Sequence, residues 1–193
     1  MFLRILKLFK HIFALYIMKK RRNVIYSIFL RYFILIITAL PSFWIFYFIF
    51  TPLTIYPVYL LIKLFFGATL AGDVIFVGNY PSPIEIVNAC VAGSAYYLLL
   101  IFNLSIPNLK FSKRVKMISF AFVSFLIVNI VRIVVLATIF VLRPNLFDIS
   151  HKLSWYIGSI ILVVGIWFLE VKKFNIKEIP FYSDLKAMLK NIK

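Results

Sequence analysis

Apolar residues dominate five stretches of this chain, at 24–50, 53–70, 87–106, 117–142 and 152–169, and polar or basic segments separate them. A helix needs about 20 apolar residues to cross a hydrocarbon core of about 30 Å. Membrane spans are therefore expected over 31–50, 87–106, 117–142 and 152–169. Arg31 lies near the inner end of the first, where its stem can snorkel to the headgroups. Trp44 and Tyr47 suit the opposite interface.

Residues 53–70 break the pattern because Pro52, Pro57 and Lys63 interrupt them. Charge decides how this segment is placed. Segments 1–22, 110–116 and 172–193 carry 7, 4 and 6 of the 22 Lys and Arg residues. All three share one side of the membrane if 53–70 does not cross, and the positive-inside rule favours that arrangement. The segment is thus expected as a re-entrant or interfacial helix on the outer side. In 71–86, Gly72, Gly78, Asn79, Pro81 and Pro83 punctuate short β-branched runs, which predicts a small outer hairpin or ordered loop. Residues 143–150 are expected as a short outer loop, and His151 opens the last span. Arg4, Lys7 and Lys10 fall on one helical face of 1–18, so that segment reads as an inner interfacial helix or a short basic tail.

The expected fold is an all-α membrane protein: a polytopic transmembrane helix bundle of about four to five spans, with a re-entrant or interfacial helix and a small outer hairpin. Its parts are a cytoplasmic basic segment over 1–22, a transmembrane catalytic domain over 23–171 and a cytoplasmic basic tail over 172–193. The location expected is the plasma membrane, multi-pass.

Composition supports this class. The 193 residues are 64% hydrophobic and 15% charged, too apolar for a soluble domain of this length. The formal charge of +16 fits cytoplasmic loops and anionic lipid rather than nucleic acid. The apolar stretch after Lys19-Lys20-Arg21-Arg22 is too long for a signal core, and no small-residue cleavage site follows it. No metal-ligand cluster, phosphate-binding glycine loop or nucleotide motif is present, so no cofactor is expected.

Three polar residues carry the candidate chemistry: Cys90, the single cysteine, Arg132 and His151. Polar groups at membrane depth are costly and tend to be functional. Cys90 and His151 fall at the outer ends of their expected spans, and Arg132 lies about 22 Å along its helix from Met117. The three depths agree although periodicity does not require it. A thiolate is a nucleophile that a neighbouring cation favours. An imidazole can protonate a leaving amine and later deprotonate the incoming group. A guanidinium can hold the oxyanion of a tetrahedral intermediate. Together they imply acyl transfer through a thioester.

Each residue also has a bland role: Cys90 as a small core residue, His151 as an interface or capping residue, and Arg132 as a structural charge. Asn129 shares the Arg132 face one turn earlier and either positions the guanidinium or hydrogen-bonds between helices. Asp148, three residues before His151, can orient the imidazole or act as a helix N-terminal acid. Ser94, one turn after Cys90, offers a Ser94/His151 dyad for an intramembrane serine protease, or packs between helices. Glu85 and Asp73 read as solvated outer charges. A different class also stays open, a non-enzymatic small transporter or assembly partner with Arg132 and Asn129 lining a polar path or helix interface.

The ordered set Val87-Asn88-Ala89-Cys90-Val91-Ala92-Gly93-Ser94-Ala95-Tyr96-Tyr97, then Asn129-Ile130-Val131-Arg132-Ile133, then His151, resembles the exosortase/archaeosortase family of membrane transpeptidases over roughly residues 40–170. The Ala92-to-Tyr97 run is closest to the archaeal branch, while many members have Ser-Gly where this chain has Val91-Ala92. The resemblance implies bundled membrane helices with an extracellular Cys-Arg-His site. It implies cleavage of the C-terminal tripartite sorting signal of secreted surface proteins and transfer to a membrane lipid or similar acceptor. Cys90 would be the nucleophile, Arg132 the stabiliser and His151 the acid/base.

Overall fold

The computed structural model describes residues 26, 28–37, 44–78, 80–106 and 109–176. The segment expected at 1–22 and most of the tail expected at 172–193 lie outside the described residues. Seven helices are described: α1 (Ile28–Ile37), α2 (Trp44–Phe66), α3 (Asn88–Val91), α4 (Gly93–Leu104), α5 (Phe111–Leu142), α6 (Pro144–Leu153) and α7 (Ser159–Lys173). A π-helical turn, Ser154–Gly158, joins α6 to α7 without a break. Strands β1 (Ala68–Ala71), β2 (Val74–Val77) and β3 (Ile84–Glu85) form one antiparallel sheet in the order β1-β2-β3.

Among the described residues, three helical stretches are long and apolar enough to cross a membrane: Trp44–Phe66, Phe111–Leu142 and Pro144–Lys173. The protein is a mostly helical membrane protein. Helix α5 shows why its residues suit both roles. Met117, Ala121, Phe125, Asn129, Ile133 and Ala137, each four residues apart, are buried. Val123, Ile127, Val131 and Val135, also four apart, are exposed apolar side chains. One ridge packs into the bundle, and the other presents aliphatic surface to lipid.

Four details differ from the sequence expectations. First, residues 53–66 form no separate re-entrant helix; they are the second half of α2, which begins at Trp44 inside the first expected span. Pro52 and Pro57 sit within α2, and a proline inside a membrane helix is tolerated where neighbouring groups satisfy the freed backbone. The helix ends at Gly67, whose φ of 64° suits glycine. Second, the hairpin expected within 71–86 begins three residues earlier, at Ala68, and gains a third strand. Third, residues 144–153 are helix rather than loop, because Pro144 at the first helical position presets the backbone and loses no needed N–H. Fourth, Arg31 and Arg114 do not reach outward.

Both arginines are buried at the end of α4. Arg31 Nη1 donates to the carbonyls of Leu104 and Ile106 at 2.8 and 3.0 Å. Arg114 Nη1 donates to Asn103 and Leu104, and its Nη2 to Ile106 at 2.7 Å. The last carbonyls of a helix lack intrahelical partners and carry its negative dipole end, so two guanidinium groups satisfy them. Beside them, Glu170 of α7 is fully buried and accepts a bond from Asn103 Nδ2 at 3.0 Å. The basic end of the bundle thereby ties α1, α4, α5 and α7 together.

An aromatic cluster fixes α4 against α2 and α5. The Phe50 and Tyr96 rings stack with centroids 3.6 Å apart. Phe122 and Phe125 meet Tyr96 edge-on at 5.5 and 4.8 Å. A Cβ on Gly93 would come within 2.8 Å of the Tyr47 ring, so a side chain there would have to displace that ring of α2. Tyr97 touches both early helices: its hydroxyl donates to the Leu35 carbonyl at 3.0 Å, and its ring meets Phe46 at 6.2 Å.

Candidate active site

Cys90 does not lie in the first turn of a long span, as its position in an apolar run suggests. It belongs to the single turn α3, where its N–H donates to the Val87 carbonyl at 2.8 Å. Ala92 then adopts a left-handed conformation, with φ 58° and ψ 48°, and Gly93 restarts the helix. The reversal detaches the cysteine turn from α4. A one-turn helix leaves its carbonyls without helical acceptors' usual partners. Asn129 of α5 fills that role, donating from Nδ2 to the Cys90 carbonyl at 2.9 Å. This is the interhelical role among those expected of Asn129; the bond goes to the cysteine backbone.

Arg132 lies one turn further along α5, partly buried. Its Nη1 donates to Ser159 Oγ at 2.8 Å. The Ser159 hydroxyl reaches back across the π-turn to the Ser154 carbonyl at 3.4 Å. A π-turn adds a residue to the helix and often marks a functional site; here it brings Ser159 under the guanidinium. Arg132 Nε is buried and has no hydrogen-bond partner among the described residues. Burial pushes the Cys90 thiol above its ordinary value, and the backbone bond at Val87 and the Arg132 guanidinium offset this only in part.

His151 falls in the last turn of α6, not at the start of a span. Its ring stacks on Phe147, with centroids 5.4 Å apart and planes inclined by 18°. Phe147 packs on Phe140 at 4.9 Å, and Phe140 on Tyr80 at 5.3 Å. This aromatic series connects the hairpin end of the fold to the imidazole.

Cys90, Arg132 and His151 line one cavity of about 420 Å³. Its walls come from β3, the Ile86–Val87 linker, α3, α5, α6 and the π-turn. Most of the lining is aliphatic or aromatic, including Ile133, Leu136, Phe140 and Trp155. Glu85 and Ser154 complete its polar groups. A thiol, a fixed cation and an imidazole around one apolar space can perform nucleophilic attack, oxyanion stabilisation and proton transfer.

Two expected supporting residues stand apart. Asp148 is exposed, and its Oδ2 accepts from Lys152 Nζ at 2.7 Å, one turn along the same helix. It does not line the cavity, so the orienting role is not formed. Ser94 is an exposed residue of α4 and does not line the cavity either, so the Ser94/His151 dyad is not assembled. Ser154, Ser159 and Glu85 were not expected at the site. The serines' signal is weak, since single hydroxyls in apolar runs more often pack between helices. Glu85 lies five residues before Cys90, and only the β3–α3 connection reveals that both face one space.

No protein-family model, curated protein or solved structure matches this chain.

Proposed function

We propose that the protein is an integral-membrane cysteine transpeptidase of the exosortase/archaeosortase kind, facing the extracellular side of the plasma membrane. The observation that carries this reading is the shared cavity of Cys90, Arg132 and His151, drawn from three separate elements.

Charge and contact support a four-passage topology. Helices α1 and α2 meet at Tyr97. End to end they span about 15 Å and about 34 Å, together close to the about 48 Å of α5. They thus act as one interrupted passage, followed by α4 down, α5 up and α7 down. Four passages keep the basic segments 1–22, 110–116 and 172–193 on the cytoplasmic side, and put the hairpin, α3 and α6 outside.

In the proposed reaction the Cys90 thiolate attacks the scissile carbonyl of a C-terminal sorting signal. Arg132 holds the developing oxyanion through a guanidinium N–H. His151 gives its proton to the leaving amine, and a thioester on Cys90 remains. An acceptor amine, supplied by a membrane lipid or similar group, then attacks the thioester. His151 takes the proton from that amine, and the thiolate is released. The apolar walls suit a signal that approaches from the membrane, and they strengthen electrostatic stabilisation by excluding water.

The test is Cys90→Ala in the native membrane. Surface proteins that end in a short motif, an apolar helix and a basic tail should remain uncleaved, while the variant is inserted at the normal level. Unaltered cleavage in the variant overturns the proposal.

A further inference from the structure

Acidic residues are scarce here, six Asp and Glu against 22 Lys and Arg. The described ones have distinct surroundings. Asp148 pairs with Lys152, and Glu170 is buried against Asn103 at the basic end. Asp73 lies between β1 and β2, where its carbonyl accepts the Ile86 N–H at 3.0 Å. Glu85 alone among them lines the cavity that holds Cys90. It is the last residue of β3, opposite Val74 in the sheet register, and is exposed. No ion pair joins it to a cation among the described residues.

The cavity therefore has a charge order. Arg132 occupies the α5 wall beside the thiol, and Glu85 occupies the strand wall. Between them the lining is mainly apolar, so charges inside are screened less than in open water. Arg132, lining the same space, repels other cations. Glu85 is the one carboxylate among the described residues that lines this space and can attract a cation to it.

We infer that Glu85 forms a subsite for a primary ammonium group, placed so that a carbonyl on the same or a neighbouring ligand faces Cys90 and Arg132. The inference rests on the reading of Cys90 as the nucleophile. It deepens that reading, because it assigns the chemical class of a group the site must admit. Two sources share this chemistry, the amine of a lipid headgroup and a lysine side chain beside the scissile bond.

The lone cysteine permits a test in the unaltered full chain, reconstituted in phosphatidylcholine nanodiscs. Rates of Cys90 modification are measured with aminoethyl methanethiosulfonate, a primary ammonium, and with its anionic sulfonatoethyl analogue. Glu85→Gln should lower the cation-to-anion rate ratio by about tenfold, and Glu85→Asp should restore most of it. An unchanged ratio in Glu85→Gln overturns the subsite while leaving the nucleophile in place. No modification by either reagent overturns the nucleophile reading and the subsite with it. Two protection arms then separate the sources, phosphatidylethanolamine in the disc and acetyl-lysine amide in solution. Slowing of the cationic reagent in one arm, lost in Glu85→Gln, supports the subsite and names its source. Protection in neither arm, or protection that survives Glu85→Gln, overturns it.

Discussion

Asn129 Nδ2 donates to the carbonyl oxygen of Cys90 at 2.9 Å, joining residues 39 positions apart. The bond fixes the short cysteine turn to the same helix face that carries Arg132. Asn129 is fully buried, so its removal leaves the Cys90 carbonyl without this partner. Such a loss costs about 1–3 kcal/mol. Asn129→Ala should slow substrate cleavage by at least about tenfold and alter the alkylation rate of Cys90. Cleavage and alkylation both at wild-type rates would separate Asn129 from the site.

In the proposed reaction Ser159 would act through Arg132, whose Nη1 donates to its hydroxyl. Ser159→Ala removes one partner of the guanidinium and should lower cleavage by about tenfold, the effect of one charge-assisted bond. Arg132→Lys keeps the positive charge but loses the planar fork that can hold Ser159 and a ligand oxygen together. Its activity should fall well below that of Ser159→Ala. Cleavage assays on the two variants in parallel check the order, and equal activity of Arg132→Lys and wild type would contradict it.

The Ala92-Gly93 step gives two stability changes of opposite sign. Ala92 bears a Cβ in the left-handed region, a cost of about 1–2 kcal/mol relieved by glycine. Ala92→Gly should raise the unfolding temperature in detergent. Gly93→Ala drives a Cβ to 2.8 Å from the Tyr47 ring and should destabilise by about 1–3 kcal/mol. Thermal unfolding followed by circular dichroism reads both. A stabilised Gly93→Ala variant would show that α4 can shift away from α2.

The orientation of the bundle is checked in intact cells. A membrane-impermeant maleimide should label Cys90 without permeabilisation, and Cys90→Ala should remove that signal. Labelling that requires permeabilisation would place the cavity on the cytoplasmic side and invert the proposed topology.

Much of this architecture was legible in the apolar pattern, because helix length against bilayer thickness is a strong constraint. The helices over 111–142 and 159–173 overlap the apolar runs expected at 117–142 and 152–169, the first starting six residues earlier and the second seven later. Local features were not legible. Pro52 and Pro57 read as breaks, yet neighbouring helices in a membrane let α2 continue through them. The basic run 110–116 read as positive charge on the inner side, but Arg114 has an internal task at the end of α4, which composition cannot reveal. At the site, depth grouped Cys90, Arg132 and His151, and the cavity contains all three. Sequence proximity misled for Asp148, whose carboxylate goes to Lys152, and for Ser94, which faces outward. Ser159 was hidden because a π-turn shifts helical phase in a way that spacing does not show.

The most direct test of the account is the mass of the intact chain isolated rapidly from its own membranes. The account predicts a fraction carrying added mass on Cys90 that neutral hydroxylamine removes, as a thioester requires, and no such fraction in Cys90→Ser. Absence of any hydroxylamine-labile adduct on Cys90, together with continued cleavage of surface proteins in Cys90→Ala cells, would contradict it.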